Sequence, residues 1–93
     1  MDKMEKKRLL EKMLRELEDI LNSQTSLLKK ISQLEAENIN VGNSVLEKRL
    51  PDIHEKVDAG ITEIGQVMEE FTVSKDKFIK DNKLDEALPE GGT

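Results

Sequence analysis

The 93-residue chain has no cysteine, tryptophan or tyrosine, and only one histidine. Without cysteine there is no disulfide framework, thiol nucleophile or thiolate metal site. The class of small disulfide-stapled secreted domains is excluded with it. Phe71 and Phe78 are the only aromatics, and hydrophobic residues make up 35% against 38% charged. A compact globule of this length would need more large apolar groups, because a short chain buries proportionally less of its surface. No run approaches the roughly 18–20 apolar residues of a membrane-spanning helix. The opening MDKMEKKRLLEK is basic but lacks the apolar stretch of a secretory signal. The chain therefore reads as soluble and intracellular, in cytoplasm or nucleus.

Catalytic signatures are missing as well. There is no Gly-rich phosphate loop, HExxH pair, EF-hand spacing or nucleophile elbow. The carboxylates are spread over solvated faces, with no cavity to perturb them. The chain is not expected to be an enzyme, and no catalytic residue, cofactor or metal ligand is assigned. His54 has Glu47 seven residues before it and Asp58 four residues after it on one helical face. That grouping allows a weak metal site or a protonation switch; an ordinary boundary histidine beside a proline is the simpler reading.

What the sequence does contain is helical periodicity. With Leu10 at heptad position a, the a and d positions read Leu10, Met13, Leu17, Ile20, Gln24, Leu27, Ile31, Leu34, Asn38 and Val41. Alternating three- and four-residue spacing held over four heptads is a coiled-coil signal. Leu14, Leu21 and Leu28 widen the stripe at position e. A second series runs Leu46, Leu50, Ile53, Val57, Gly60, Ile64, Val67, Phe71, Ser74 and Phe78, flanked by Ile61 and Met68. Gln24 and Asn38 are polar residues in a seam, the kind that sets register and partner choice; a water-accessible gap is the alternative for Gln24. Phe71 and Phe78 are expected as packing anchors, not as a ligand pocket.

The two series are out of phase. Continuing the first register would place Val45, Lys48, Asp52 and Glu55 on the stripe, three of them charged. The break coincides with NVGNS, residues 40–44, whose glycine suits a helix C-cap. Ser44 followed by Glu47 resembles a capping box. A stop, a start and a phase reset within a few residues predict a chain reversal near 40–44. Pro51 removes one helical hydrogen bond and is expected to bend the returning arm.

The expected fold is thus all-α: an antiparallel, coiled-coil-like hairpin over 1–81 that packs into a larger helical bundle. Arm one covers 4–39, arm two covers 44–80 with a kink near Pro51, and 82–93 form a flexible tail. Leu84 and Leu88 either extend the stripe or dock separately. Residues 1–15 carry a net +3 and residues 52–93 a net −6. In an antiparallel pair the basic segment would lie beside Glu69, Glu70 and Asp76.

Stripes of this width exceed what one hairpin buries, and exposed apolar stripes mark interfaces. The expected interface comprises Leu10, Leu14, Leu17, Leu21, Leu28 and Ile31 of arm one. From arm two it takes Leu50, Val57, Ile61, Ile64, Met68, Phe71 and Phe78. Of these, Leu14, Leu21, Leu28, Ile61 and Met68 are the flank that a lone hairpin would leave partly exposed. The leading functional expectation is a non-enzymatic scaffold or complex subunit that oligomerises with itself or with other coiled-coil proteins. Two alternatives use the same helices. One is an anionic-surface binder, acting on lipid headgroups or nucleic acid through residues 3–15; the internal charge pairing and the interspersed acids weigh against it. The other is a small regulator that sequesters a partner's helix. In size and layout, a long first helix, a glycine-containing middle and a second amphipathic helix, the chain resembles the short subunits of the DASH kinetochore ring. The likeness is one of layout and carries no residue.

Overall fold

The computed structural model describes residues 1–85. It contains two helices, α1 (Lys3–Val41) and α2 (Ser44–Asp81), packed against each other as an antiparallel hairpin. Asp2 caps α1: its carboxylate accepts the backbone N–H of Glu5 at 2.8 Å. That hydrogen bond, with others to the same carboxylate, holds the Asp2 acid below the usual aspartate range. Protonation below that range would remove the charge that favours the start of the helix. The cap is therefore in place above the ordinary aspartate pKa and is lost as pH falls through the lowered one.

The reversal takes two residues, Gly42 and Asn43. Gly42 adopts φ +70, the left-handed conformation that glycine enters without a Cβ penalty. Its N–H donates to the carbonyl of Asn38 at 2.7 Å, closing α1 in a single-bond αL cap. Asn43 then starts α2. Its Oδ1 accepts from the backbone N–H groups of Val45 and Leu46 at 3.0 and 3.1 Å. Its own carbonyl accepts the first helical bond, from Glu47. Asn43 is therefore the N-cap, and Ser44 is the first helical residue. The capping box expected at Ser44–Glu47 does not form, because an asparagine one position earlier already serves the free N–H groups.

Asn38 locks the turn from inside. Its side-chain Oδ1 accepts from the Asn43 N–H at 2.9 Å, and its Nδ2 donates to the Asn43 carbonyl at 3.1 Å. The residue is buried, and the polar groups of its amide are matched by backbone. Its expected role as a polar seam residue thus takes a local form: the amide fastens the last turn of α1 to the N-cap of α2.

α2 passes through Pro51 as one helix. Proline supplies no N–H, so the Glu47 carbonyl lacks its helical donor. At its far end α2 closes in a Schellman turn. Lys83 N donates to the Lys80 carbonyl at 3.0 Å and Leu84 N to the Ile79 carbonyl at 2.9 Å. Lys83 occupies the left-handed region at φ 56, and Leu84 and Ile79 are both buried, the apolar contact that accompanies this motif. The first residues of the expected tail, Asn82–Leu84, thus belong to the cap. Residues 86–93, including Leu88, lie outside the described residues.

Contacts gather into two compact units, a turn unit of residues 19–65 and an open-end unit that joins 1–18 to the chain from Gln66 onward. In the turn unit the inward positions are Leu21, Gln24, Leu28, Ile31, Glu35 and Asn38 of α1. They meet Leu50, His54, Val57, Gly60, Ile61 and Ile64 of α2. In the open-end unit they are Leu10, Leu14 and Leu17, with Met68, Phe71, Lys75 and Phe78. In heptad terms, each helix turns its a and e positions toward the other.

Two changes at the helix ends are predicted to act in opposite directions. Asn38→Ala removes the two side-chain hydrogen bonds to Asn43, whose carbonyl still accepts the Glu47 N–H, and should lower unfolding free energy by about 1–2 kcal/mol. Lys83→Gly relieves a left-handed lysine and should raise it by up to about 1 kcal/mol. Urea denaturation followed by circular dichroism measures both.

Candidate interaction surface

Every residue expected at the interface, from Leu10 to Phe78, is half-buried or buried within the hairpin. The flank Leu14, Leu21, Leu28, Ile61 and Met68 is half-buried in the hairpin. The exposed column is the d column. Met13, Ile20, Leu27 and Leu34 of α1 are between 39% and 47% exposed, as are Ile53 and Val67 of α2. On α2 the d side contains Leu46, Ile53, Gly60, Val67 and Ser74 and the e side His54, Ile61, Met68 and Lys75, so apolar content alone does not select the e side; the inward His54 meets Glu35 of α1.

These exposed columns share one side within each unit. Successive residues on a helix are separated by about 100°, so a d residue lies to one side of an a/e seam. Two antiparallel helices related by a two-fold axis place that side alike. In the turn unit, Ile20, Leu27 and Leu34 therefore lie on the same face as Ile53 and Gly60. The opposite face of that unit carries Thr25, Ser32, Asp58 and Gly65, with Ile39 and Pro51 nearest the turn. In the open-end unit, Leu9 and Met13 lie on the same face as Val67, and all three are exposed.

Three polar features lie along the seam. His54 Nδ1 is 2.7 Å from Glu35 Oε1, a hydrogen bond between α2 and α1. Its partner comes from the other helix, not from Glu47 or Asp58. Gln24 faces Gly60; a Cβ built at Gly60 would lie 3.4 Å from Gln24 Nε2. The Gln24 Oε1 is buried and accepts no hydrogen bond among the described residues. In the open-end unit, Lys75 tucks its stem into the seam and pairs with its neighbour Asp76 at 2.8 Å, as long cationic side chains do at apolar surfaces.

The basic N-terminal segment finds a different partner from the one expected. Lys6 Nζ sits 4.5 Å above the centre of the Phe78 ring. Among the described residues, none of Lys3, Lys7, Arg8, Lys12 or Arg15 forms an ion pair with Glu69, Glu70 or Asp76. The ends are adjacent, but a cation–π contact replaces the expected salt bridges.

A second apolar patch marks the turn, where Ile39, Val41 and Val45 are at least 63% exposed. Beside it an open cleft of about 400 Å³ is lined by Glu35, Asn38, Leu46, Leu50 and Pro51, among others. Of its polar side chains, Asn38 is engaged with the turn and Glu35 with His54, and Glu47 also lines it. No group of three or more histidine, cysteine or carboxylate residues suited to a metal is present among the described residues. No helix among them is long and apolar enough to cross a membrane.

Comparison with known proteins returns no match to a family model, a curated protein or a solved structure.

The His54–Glu35 pair is half-exposed, so its predicted worth is small. A double-mutant cycle with His54→Ala and Glu35→Ala should give a coupling of about 0.5–1 kcal/mol in chemical denaturation.

Proposed function

We propose that the chain is a non-enzymatic interaction subunit that docks the exposed d face of its hairpin into a larger helical bundle. One observation carries this reading: in the turn unit Ile20, Leu27, Leu34 and Ile53 stand exposed side by side, opposite a face whose middle carries Thr25, Ser32, Asp58 and Gly65. Single exposed leucines are ordinary, but a contiguous apolar patch rimmed by charge marks an interaction site. Heptad spacing of the patch fits another helix, because knobs repeated every seven residues fill the holes of a facing helix. A hairpin is also economical as a subunit, since one chain brings two helices already in register.

The patch lies outside the hairpin's own seam, which separates its binding role from its folding role. Ile20→Glu combined with Leu27→Glu should leave helicity and hairpin stability within about 1 kcal/mol of the parent, as surface substitutions do. The same pair should abolish the assemblies that the tagged protein forms in its own cells, read by native mass spectrometry of the purified complexes. An unchanged set of complexes for this variant would remove the basis of the proposal.

A further inference from the structure

We propose that the occupant of the exposed face is a second copy of this chain, the two hairpins lying face to face with their turns at opposite ends. The product is an antiparallel four-helix bundle whose two-fold axis passes the Gln24–Gly60 contact. This rests on the docking reading above and names its partner.

The rim charges decide between arrangements. Three residues after each member of an exposed column stands a residue on the outer edge of the face. On α1 these are Glu16, Ser23, Lys30 and Glu37; on α2 they are Arg49, Lys56, Glu63 and Glu70. All of them are exposed. Two hairpins can meet face to face by two-fold symmetry in two ways. With both turns at one end, α1 of each copy faces α2 of the other in nearly the register of the hairpin itself. That register sets Lys30 against Lys56 and Glu16 against Glu70, like charges at both places, against one opposite pair, Glu37 and Arg49.

With the turns at opposite ends, each helix faces its own copy, antiparallel. On α1, centring the pairing near Ser23 sets Glu16 against Lys30, and symmetry repeats the pair. The same register packs Met13 toward Leu34 and Ile20 toward Leu27, using the whole column. One heptad away, Glu16 meets Glu37 instead. On α2, centring at Gly60 sets Lys56 against Glu63 and Arg49 against Glu70, each repeated by symmetry. One heptad away, Glu63 meets Glu63 and Arg49 meets Lys77, with Lys56 against Glu70 the one attractive pair. Rim charges of this kind select partner and register while the apolar column supplies affinity.

Each helix thus has its own preferred centre, near residue 23 on α1 and at residue 60 on α2. The structure places those two points in contact, Gln24 beside Gly60, so one axis serves both. One feature of that contact then acquires a use. Gly60 belongs to the exposed column of α2 and has no side chain there, and glycine permits close backbone approach.

The test uses the purified full chain. Sedimentation equilibrium at about 100 µM, a range in which protein pairs of micromolar Kd associate, should return twice the 10.6 kDa chain mass. The chain has no cysteine, so Ser44→Cys carries a single spin label at the turn. About 20 residues at 1.5 Å each separate it from the axis, which gives a label separation of about 60 Å in the dimer. Glu16→Lys should weaken dimerisation about tenfold, and adding Lys30→Glu should restore it to within about threefold. Circular dichroism of each variant shows that the hairpin is intact. A monomer at 100 µM, a label separation under about 30 Å, or a Glu16→Lys defect that Lys30→Glu does not rescue would each overturn the antiparallel dimer. A monomer would leave the docking reading to its own test on assemblies from cells.

Discussion

The hairpin depends on one asparagine amide. Asn38 presents a donor and an acceptor to the two backbone groups of Asn43, and no apolar side chain can do that. The pairing removes the desolvation cost of a tight two-residue reversal inside a packed helix end. It also fixes the rotation of α2 relative to α1 at the turn. Once that rotation is set, the face of each helix that meets the other follows from 3.6-residue periodicity. The a/e seam, the His54–Glu35 contact and the exposed d column of the turn unit are downstream of this single amide.

The exposed apolar column is therefore a remainder. Each helix carries apolar residues at a, d and e, and a two-helix pair has room for only two of these columns. The a and e columns turn inward in this hairpin, and Ile20, Leu27, Leu34 and Ile53 of the d column are left out. The heptad read along α1 from Leu10 to Val41 is thus only partly buried by the hairpin itself.

Much of the fold was legible in the sequence. The phase break, Gly42 and the asparagines located the reversal to within a residue or two, because stop signals, start signals and periodicity agreed. The N-cap was misplaced by one position: Ser44 with Glu47 matched a known pattern, but Asn43 competes for the same N–H groups and comes first. That the d column is the more exposed one was not legible, because both outer columns of α2 mix apolar with small or polar residues. The pairing of Asn38 with the turn, the seating of Lys6 on Phe78 and the docking of Leu84 on Ile79 depend on how non-adjacent residues meet. Linear spacing carries no direct sign of such meetings.

The two-residue link also orders the way the chain closes. Asn38 and Asn43 are five residues apart, and His54 and Glu35 are nineteen apart. Lys6 must find Phe78 across most of the chain. Loop closure costs more entropy as the intervening segment lengthens, though each doubling adds only about 0.6 kcal/mol. Contacts beside the turn can form first, and each one shortens the loop that the next must close. By loop length the hairpin zips from Gly42 toward its termini, and the Lys6–Phe78 contact is among the last stitches.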